Sequence, residues 1–541
     1  MKTSAFALLP ALAICASVAL PAYGADRVKT ANGIVESTAP PSEGVRSFKG
    51  IPFAQPPVGD LRWREPQPPK NWSGVRNADK FGSTCMQRLS PMADYWFRSD
   101  GMSEDCLYLN VWTPAKSDSE KLPVLVYIFG GGFQNGDGSE PRYDGERMAR
   151  KGIVAVSLNY RTNIFGFFAH PELTKESPNR ASGNYGLLDQ VAALQWVQKN
   201  IAAFGGDPTR VTIAGESAGS ISVSALMASP ISKNLMAGAI GESGAAIASL
   251  PPRPLAEVEE SGVKFAAAAG ADSLAALRAM TAQQIQDATA KAQGVRFGTA
   301  MDGYFLAKSL TDIGLAGEQA KVPLLAGANT EEQGARAVLG NNPPTPETLA
   351  AAITKFYGDK AEPVLKAYAA TTIDEVFEAA THLASARFIS YGTWKWTELH
   401  MQTSGKPVYS YLYAKVRPAY LGMPGQPPPA APAPAQAQAG APQPQAPRGA
   451  SHSAEIQYAM GNLDLDTRYT WEPADHEVSK TMQAYFVNFI KTGDPNGPGL
   501  PAWPAYRPET NYQRMRIDVT SKAEPERHRD RYLALDAVIG R

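Results

Sequence analysis

The sequence predicts an α/β fold, with a mostly parallel central sheet flanked by helices. Three observations carry that expectation. Residues 122–129, 152–159, 210–214 and 322–327 are short runs of nearly continuous apolar and β-branched character, as strands covered on both faces must be. Residues 187–204, between the second and third runs, repeat apolar residues at intervals of three and four, the period of a helix with a buried face. Gly215-Glu216-Ser217-Ala218-Gly219 then sits between the third strand run and a small-residue helix beginning at Ser220. Strands alternating with helices select a parallel sheet over a sandwich or a bundle.

Taken in chain order, residues 1–24 read as a secretory signal. Lys2 gives a positive start, residues 5–20 are mostly apolar, and Ala22 and Gly24 are small enough for cleavage near Gly24/Ala25. A membrane anchor is the competing reading; Pro10 and Pro21 interrupt the apolar stretch and argue against it. Cys15 follows Ile14, a poor context for lipidation. No later segment reaches the roughly 18 apolar residues of a membrane span. The expectation is an exported chain, periplasmic or secreted, with no membrane span after cleavage. Cys85 and Cys106 are the two cysteines left in the mature chain. In an exported protein they suggest one disulfide closing a loop of about 20 residues, worth roughly 3 kcal/mol, against the alternative of two free thiols.

The helical run 187–204 stops at Gly205-Gly206-Asp207-Pro208, a residue set that terminates helices. Residues 255–288 and 345–381 are Ala-rich and helical, and are expected to belong to cap insertions at about 250–300 and 335–400. Such insertions lie over the carboxyl edge of the sheet, where ligands bind in these folds. Residues 423–447 are Pro, Ala, Gln and Gly with almost no core-forming side chain, and read as a flexible loop ending five residues before His452. Length alone allows three or four domains; a large α/β sheet breaks that rule, and the expectation is one domain over residues 25–541. Lys plus Arg and Asp plus Glu are both 52, so no overall field recruits nucleic acid.

Gly-x-Ser-x-Gly between a strand and a helix is the nucleophile elbow of α/β-hydrolases. The turn leaves no room for flanking Cβ atoms and lifts Ser217 above the sheet at a helix N-terminus. A serine nucleophile needs a base. The mature chain has His170, His382, His400, His452, His476 and His528. His452 stands in a Gly/Ser turn from which an imidazole projects freely; the others adjoin helical or strongly charged segments. The base needs a carboxylate. Glu331 and Glu332 follow the fourth strand run, and the residues alone leave the choice between them open. Gly130-Gly131-Gly132 follows the first strand run. The amides of Gly131, Gly132 and Ala218 are the candidate oxyanion donors.

These residues together resemble the type-B carboxylesterase/cholinesterase family of α/β-hydrolases. The resemblance runs from about residue 30 to residue 506. It includes Phe48 to Pro57, Leu61-Arg62-Trp63, Glu104 to Val111, Asn159-Tyr160-Arg161, Phe204 to Pro208, Thr492 to Asn496 and Trp503-Pro504. It implies the α/β-hydrolase fold and a triad of Ser217, Glu332 and His452. Glu332 takes the acid position of a family block whose Asp and final Gly are here Glu331 and Gln333. The resemblance also implies that Cys85 and Cys106 match the family's first disulfide. Glu216 and Glu455 would be carboxylates supporting the triad, and Asp207, Ser243, Asp302 and Gly303 would be structural. The expected activity is hydrolysis of a small-molecule carboxylic ester through an acyl-serine intermediate, with no cofactor and no metal. The same triad could act on carbamate, amide or aromatic polyester bonds. A binding protein on this fold that lacks turnover is the reading from a different class. Oligomeric state is not readable.

Overall fold

The computed structural model describes residues 26–89, 96–292, 294–422 and 448–540. The signal segment 1–24 and the loop 423–447 lie outside the described residues. Ten strands form the principal sheet: β1 (Arg46–Pro52), β2 (Tyr108–Thr113), β3 (Leu122–Ile128), β4 (Val154–Leu158), β5 (Gly206–Glu216), β6 (Gly238–Glu242), β7 (Leu324–Asn329), β8 (Val408–Tyr413), β9 (Gln513–Ile517) and β10 (Lys522–Pro525). Their spatial order is β10-β9-β8-β7-β6-β5-β3-β4-β2-β1. From β4 across to β9 every neighbouring pair is parallel. The antiparallel pairs are β1·β2, β2·β4 and β9·β10. This is the α/β-hydrolase fold, with helices on both faces of a large mixed sheet.

The four strand runs read from sequence are β3, β4, β5 and β7. The central ones are buried along nearly their whole length, which is why they are apolar without alternation. β5 begins four residues earlier than its apolar run. Gly206 pairs with Leu122, and the ladder then slips before resuming at Val211. The slip holds Asp207, whose carboxylate accepts from the Thr209 amide and hydroxyl at 2.8 and 2.7 Å.

The helix α1 (Tyr185–Asn200) ends in a tighter turn at Ile201–Phe204, and Gly205 follows at φ +78°. The other elements that position the site are α2 (Ala218–Ala228), α3 (Leu255–Ala268), α4 (Ala282–Lys291), α5 (Pro346–Tyr357), α6 (Ile373–Ser385) and α7 (Tyr391–Thr403). α5 and α6 bury Leu349, Ile353, Val376 and Leu383 in a core of their own, shared with Trp394 of α7 and Leu535 near the carboxyl terminus. The last helix of the described chain, Arg529–Ile539, supplies Leu535 and lies beyond the motifs recognised in the sequence.

Five loops converge at the carboxyl ends of parallel strands. Glycines follow β3, Ser217 follows β5, Ser243 follows β6, Glu331 and Glu332 follow β7, and the segment bearing His452 returns after β8. Residues 26 positions apart (Ser217 and Ser243) and 321 apart (Gly131 and His452) are thereby brought to one edge of the sheet, the edge at which ligands bind in open α/β folds.

Candidate active site

Ser217 stands between β5 and α2 at φ +56°, ψ −121°, a backbone conformation that L-residues rarely adopt. A Cβ on Gly219 would lie 2.1 Å from the Ile128 carbonyl oxygen, and one on Gly215 would lie 2.6 Å from the Gly219 backbone. The turn can close only with glycine at both places. The Ser217 amide donates to the Glu242 carbonyl at 2.9 Å, which pins the elbow to β6. Its hydroxyl makes no capping bond to α2. Ser217, His452, Glu216, Gly131 and Gly132 all line one pocket of about 290 Å³.

The two adjacent acids separate completely. Glu332 is buried, and its Oε2 lies 2.6 Å from His452 Nδ1. Its Oε1 accepts from the Asn329 amide and from Ser243 Oγ, both at 2.6 Å. Glu331 turns the other way. Its Oε2 accepts the Arg448 and Gly449 amides at 2.9 Å, and its own amide donates to Ala450 at 2.9 Å. Glu331 therefore ties down the loop that carries the histidine, and Glu332 contacts the imidazole. Asn329 reinforces the same junction through Ser451 O and Glu455 Oε2, at 2.8 and 2.6 Å.

On its other edge, His452 Nε2 lies 3.3 Å from Glu216 Oε1, and no hydrogen bond joins it to Ser217 Oγ. Glu216 Oε1 also accepts from Ser453 Oγ at 2.6 Å. The imidazole is 23% exposed and sits between two buried carboxylates. Burial alone would lower its pKa; the charge of Glu216 and the hydrogen bond and charge of Glu332 outweigh burial and raise it to about 9.

Behind these groups lies a cluster of buried acids. Burial raises Glu455 to about 8, helped by Glu216 and Glu332, and pushes Glu242 well above the usual range, helped by Glu455. Ser243 Oγ has one proton but lies 2.6 Å from Glu332 Oε1 and 3.1 Å from Glu455 Oε1. Both contacts are satisfied when Glu455 is protonated and donates to Ser243, which donates to Glu332. The negative charge then rests on Glu332, against the imidazole. Ser243, expected to be structural, lies within hydrogen-bond distance of both acids. Asp302 does fit a structural role, accepting the Tyr304, Phe305 and Leu306 amides at 2.9 to 3.1 Å.

Gly131 and Gly132 adopt φ +107° and +63°. A Cβ on Gly131 would lie 2.1 Å from the Asn135 carbonyl oxygen. Phe129, before the glycines, stacks on Tyr160 at 4.3 Å, and Tyr160 Oη donates to the Phe129 carbonyl at 3.0 Å. Cys85 and Cys106 form a buried disulfide. Two residues on, the Gln87 side chain makes a reciprocal pair with Gly136, at 2.9 and 2.8 Å, joining the disulfide segment to the glycine loop. Among the described residues no group of three His, Cys, Asp or Glu side chains is placed to hold a metal ion.

Several pocket residues were not anticipated. Phe388 packs edge-on against His452 at 4.9 Å. It belongs to a π-helical turn, Ala386–Ser390, between α6 and α7, a distortion that often marks functional positions. Ser249 donates to the Phe388 carbonyl. Ile221, Leu250 and Ile389 add apolar wall, and Arg142 sits at the edge, paired with Glu140 at 2.8 Å.

The fold and this site define an α/β-hydrolase of the esterase type. Residues 25–533 match the model of the carboxylesterase family, and the chain belongs to that family. By class it is a carboxylic ester hydrolase. It is 36% identical over 498 residues to a fumonisin B1 esterase of Sphingopyxis macrogoltabida, covering 88% of this chain and 84% of that one. It is 33% identical over 517 residues to a para-nitrobenzyl esterase of Bacillus subtilis, covering 92% and 96%. Among solved structures, a Geobacillus stearothermophilus carboxylesterase superposes with a TM-score of 0.76 at 30% identity, covering 94% of this chain and 99% of that one.

Proposed function

We propose that this chain is an exported serine carboxylesterase that hydrolyses small-molecule esters through an acyl-Ser217 intermediate, with Glu332 and His452 completing the triad. The observation that carries the reading is the 2.6 Å contact between Glu332 Oε2 and His452 Nδ1 in the pocket that also holds Ser217 at a strained elbow. His452 takes the hydroxyl proton as Ser217 attacks the ester carbonyl. Glu332 holds the imidazole in the tautomer with its free nitrogen toward the serine and stabilises the imidazolium. The amides of Gly131, Gly132 and Ala218 receive the oxyanion, preorganised because the Asn135 amide donates to the Gly131 carbonyl and Gln87 holds Gly136. The alcohol leaves with the proton from His452, and water attacking the acyl-enzyme by the same route releases the acid. Glu216, Glu455 and Ser243 are positioning residues that set the charge around the imidazole.

Export is supported by the residues before Ala25 and by the Cys85–Cys106 disulfide, a bond favoured in oxidising compartments. No described helix is long and apolar enough to cross a membrane. Ser217→Ala tests the mechanism. Loss of turnover of 4-nitrophenyl butyrate by about 10³-fold or more is expected; retained turnover would assign the chemistry to another residue.

A further inference from the structure

Beside the Ser217 pocket lies a second cleft of about 920 Å³, and the two share Gly132 and Leu250. Its charged lining is Arg88, Arg253 and Arg296, with no Asp, Glu or Lys among the described lining residues. None of the three lies within 4.0 Å of a described carboxylate. Arg253 donates instead to neutral groups, Ser261 Oγ at 3.5 Å and the Arg296 carbonyl at 3.1 Å. Overall composition does not explain this, because acids and bases balance at 52 each. Arginines by the active site and in the core are neutralised, Arg142, Arg161 and Arg468 pairing with Glu140, Asp189 and Asp466 at 2.7 to 2.8 Å, whereas Arg387 and Arg417, like Arg253, rest on neutral groups.

The cationic wall is built onto the catalytic loops. Arg253 precedes α3, pairs with Ala300 and is bound to Arg296 beyond α4. Gln134, two residues past the candidate oxyanion loop, donates to the Phe297 carbonyl at 3.1 Å. Arg88 follows Gln87, which holds Gly136. Phe133, Leu250, Val295 and Phe297 give the intervening surface an apolar character. An ester held at Gly132 would extend along that surface toward the guanidinium groups.

We propose that the substrate is a carboxylate-bearing ester, its scissile bond at Ser217 and its anionic group received by Arg88, Arg253 and Arg296, with a short apolar spacer between. Guanidinium forks match carboxylate geometry, and walls with no acid among the described lining residues focus the field. This rests on the reading of Ser217 as the nucleophile. The test compares kcat/KM for two isosteric pairs on the full mature protein. For the acyl side these are 4-nitrophenyl hydrogen glutarate and its neutral amide, 4-nitrophenyl 4-carbamoylbutanoate. For the alcohol side they are the butyrate esters of 4-hydroxybenzoate and 4-hydroxybenzamide. We expect at least one pair to favour the anionic member about tenfold or more at low ionic strength, with the ratio shrinking as salt rises. The pair that responds shows which side of the ester carries the charge. The ratio should fall about tenfold in the triple variant Arg88→Gln, Arg253→Gln, Arg296→Gln and persist in the triple Lys variant, whose charge is conserved. Should the triple Gln variant fold poorly, exposed Arg296→Gln alone must still lower the ratio. Wild-type turnover of both neutral esters with no anionic preference, or a preference unmoved by the Gln variants, overturns this inference and leaves the serine mechanism standing. Turnover that survives Ser217→Ala overturns the mechanism itself.

Discussion

Replacing Glu216 by Gln should move the acid limb of the activity profile to lower pH. His452 must be neutral to take the Ser217 proton, so kcat/KM falls as pH drops below the imidazole pKa, raised here to about 9. Glu216 is the first of the charges that raise it, at 3.3 Å from Nε2. A unit charge at that distance interacts by about 1.3 kcal/mol in water and about 5 kcal/mol at an effective dielectric constant near 20. At about 1.4 kcal/mol per pH unit this spans roughly 1 to 4 units. The imidazole is 23% exposed, so the lower part of the range applies: about 1 to 2 units downward. The amide retains an acceptor for Ser453 Oγ, so the loop bearing the histidine is conserved. The assay is kcat/KM for a neutral 4-nitrophenyl ester from pH 5 to 10 at fixed ionic strength, wild type against variant. A limb that stays in place or moves up would refute the assignment of the Glu216 charge to His452.

Glu332→Gln should lower kcat by about 10³-fold or more, because the imidazolium loses its countercharge and the tautomer its anchor; Glu331→Gln should cost about 1 to 2 kcal/mol of stability with kcat within several-fold, read by denaturant unfolding and single-turnover kinetics. The reverse pattern would exchange the roles of the two acids. Gly131→Ala should reduce kcat by about 10²-fold, since its Cβ meets the Asn135 carbonyl and displaces an oxyanion donor, while KM changes little. Gly132→Ala meets no atom within 4 Å and should cost less, about 1 to 2 kcal/mol for its left-handed backbone. Replacing Cys85 and Cys106 by Ser should remove roughly 3 kcal/mol, lowering Tm by about 3 °C in calorimetry; an unchanged Tm would deny the disulfide a stabilising role.

How much of this was legible in the sequence differs residue by residue. Ser217 was legible because the elbow is a local steric problem that only glycine on both sides solves. His452 was legible because a small-residue turn sits before a recognisable block. The choice between Glu331 and Glu332 was not legible from local pattern, because which neighbour faces the imidazole depends on the pairing of Glu331 with the 448–451 segment, more than a hundred residues away. Ser243 looked structural because its two partners, Glu332 and Glu455, come from different loops. Phe388 was illegible, since no local pattern marks its π-helical turn or the Ser249 hydroxyl that reaches its carbonyl from 139 residues away. Arg88, Arg253 and Arg296 form no linear motif; the fold alone gathers them. Six strands of the sheet also escaped notice, among them β8, whose Val-Tyr-Ser-Tyr-Leu-Tyr carries polar atoms on aromatic rings, and β10, whose Lys-Ala-Glu-Pro has no apolar run.

The central claim is that Ser217 is the nucleophile activated by His452 and Glu332. Its most direct measurement is intact-protein and peptide mass spectrometry after reaction with a 4-nitrophenyl alkylphosphonate. The account predicts one phosphonyl adduct per chain, on the peptide containing Gly215 to Gly219, formed in step with loss of esterase activity, absent in Ser217→Ala and greatly slowed in His452→Ala. An adduct on another residue, or esterase activity that outlasts full modification of Ser217, would contradict it.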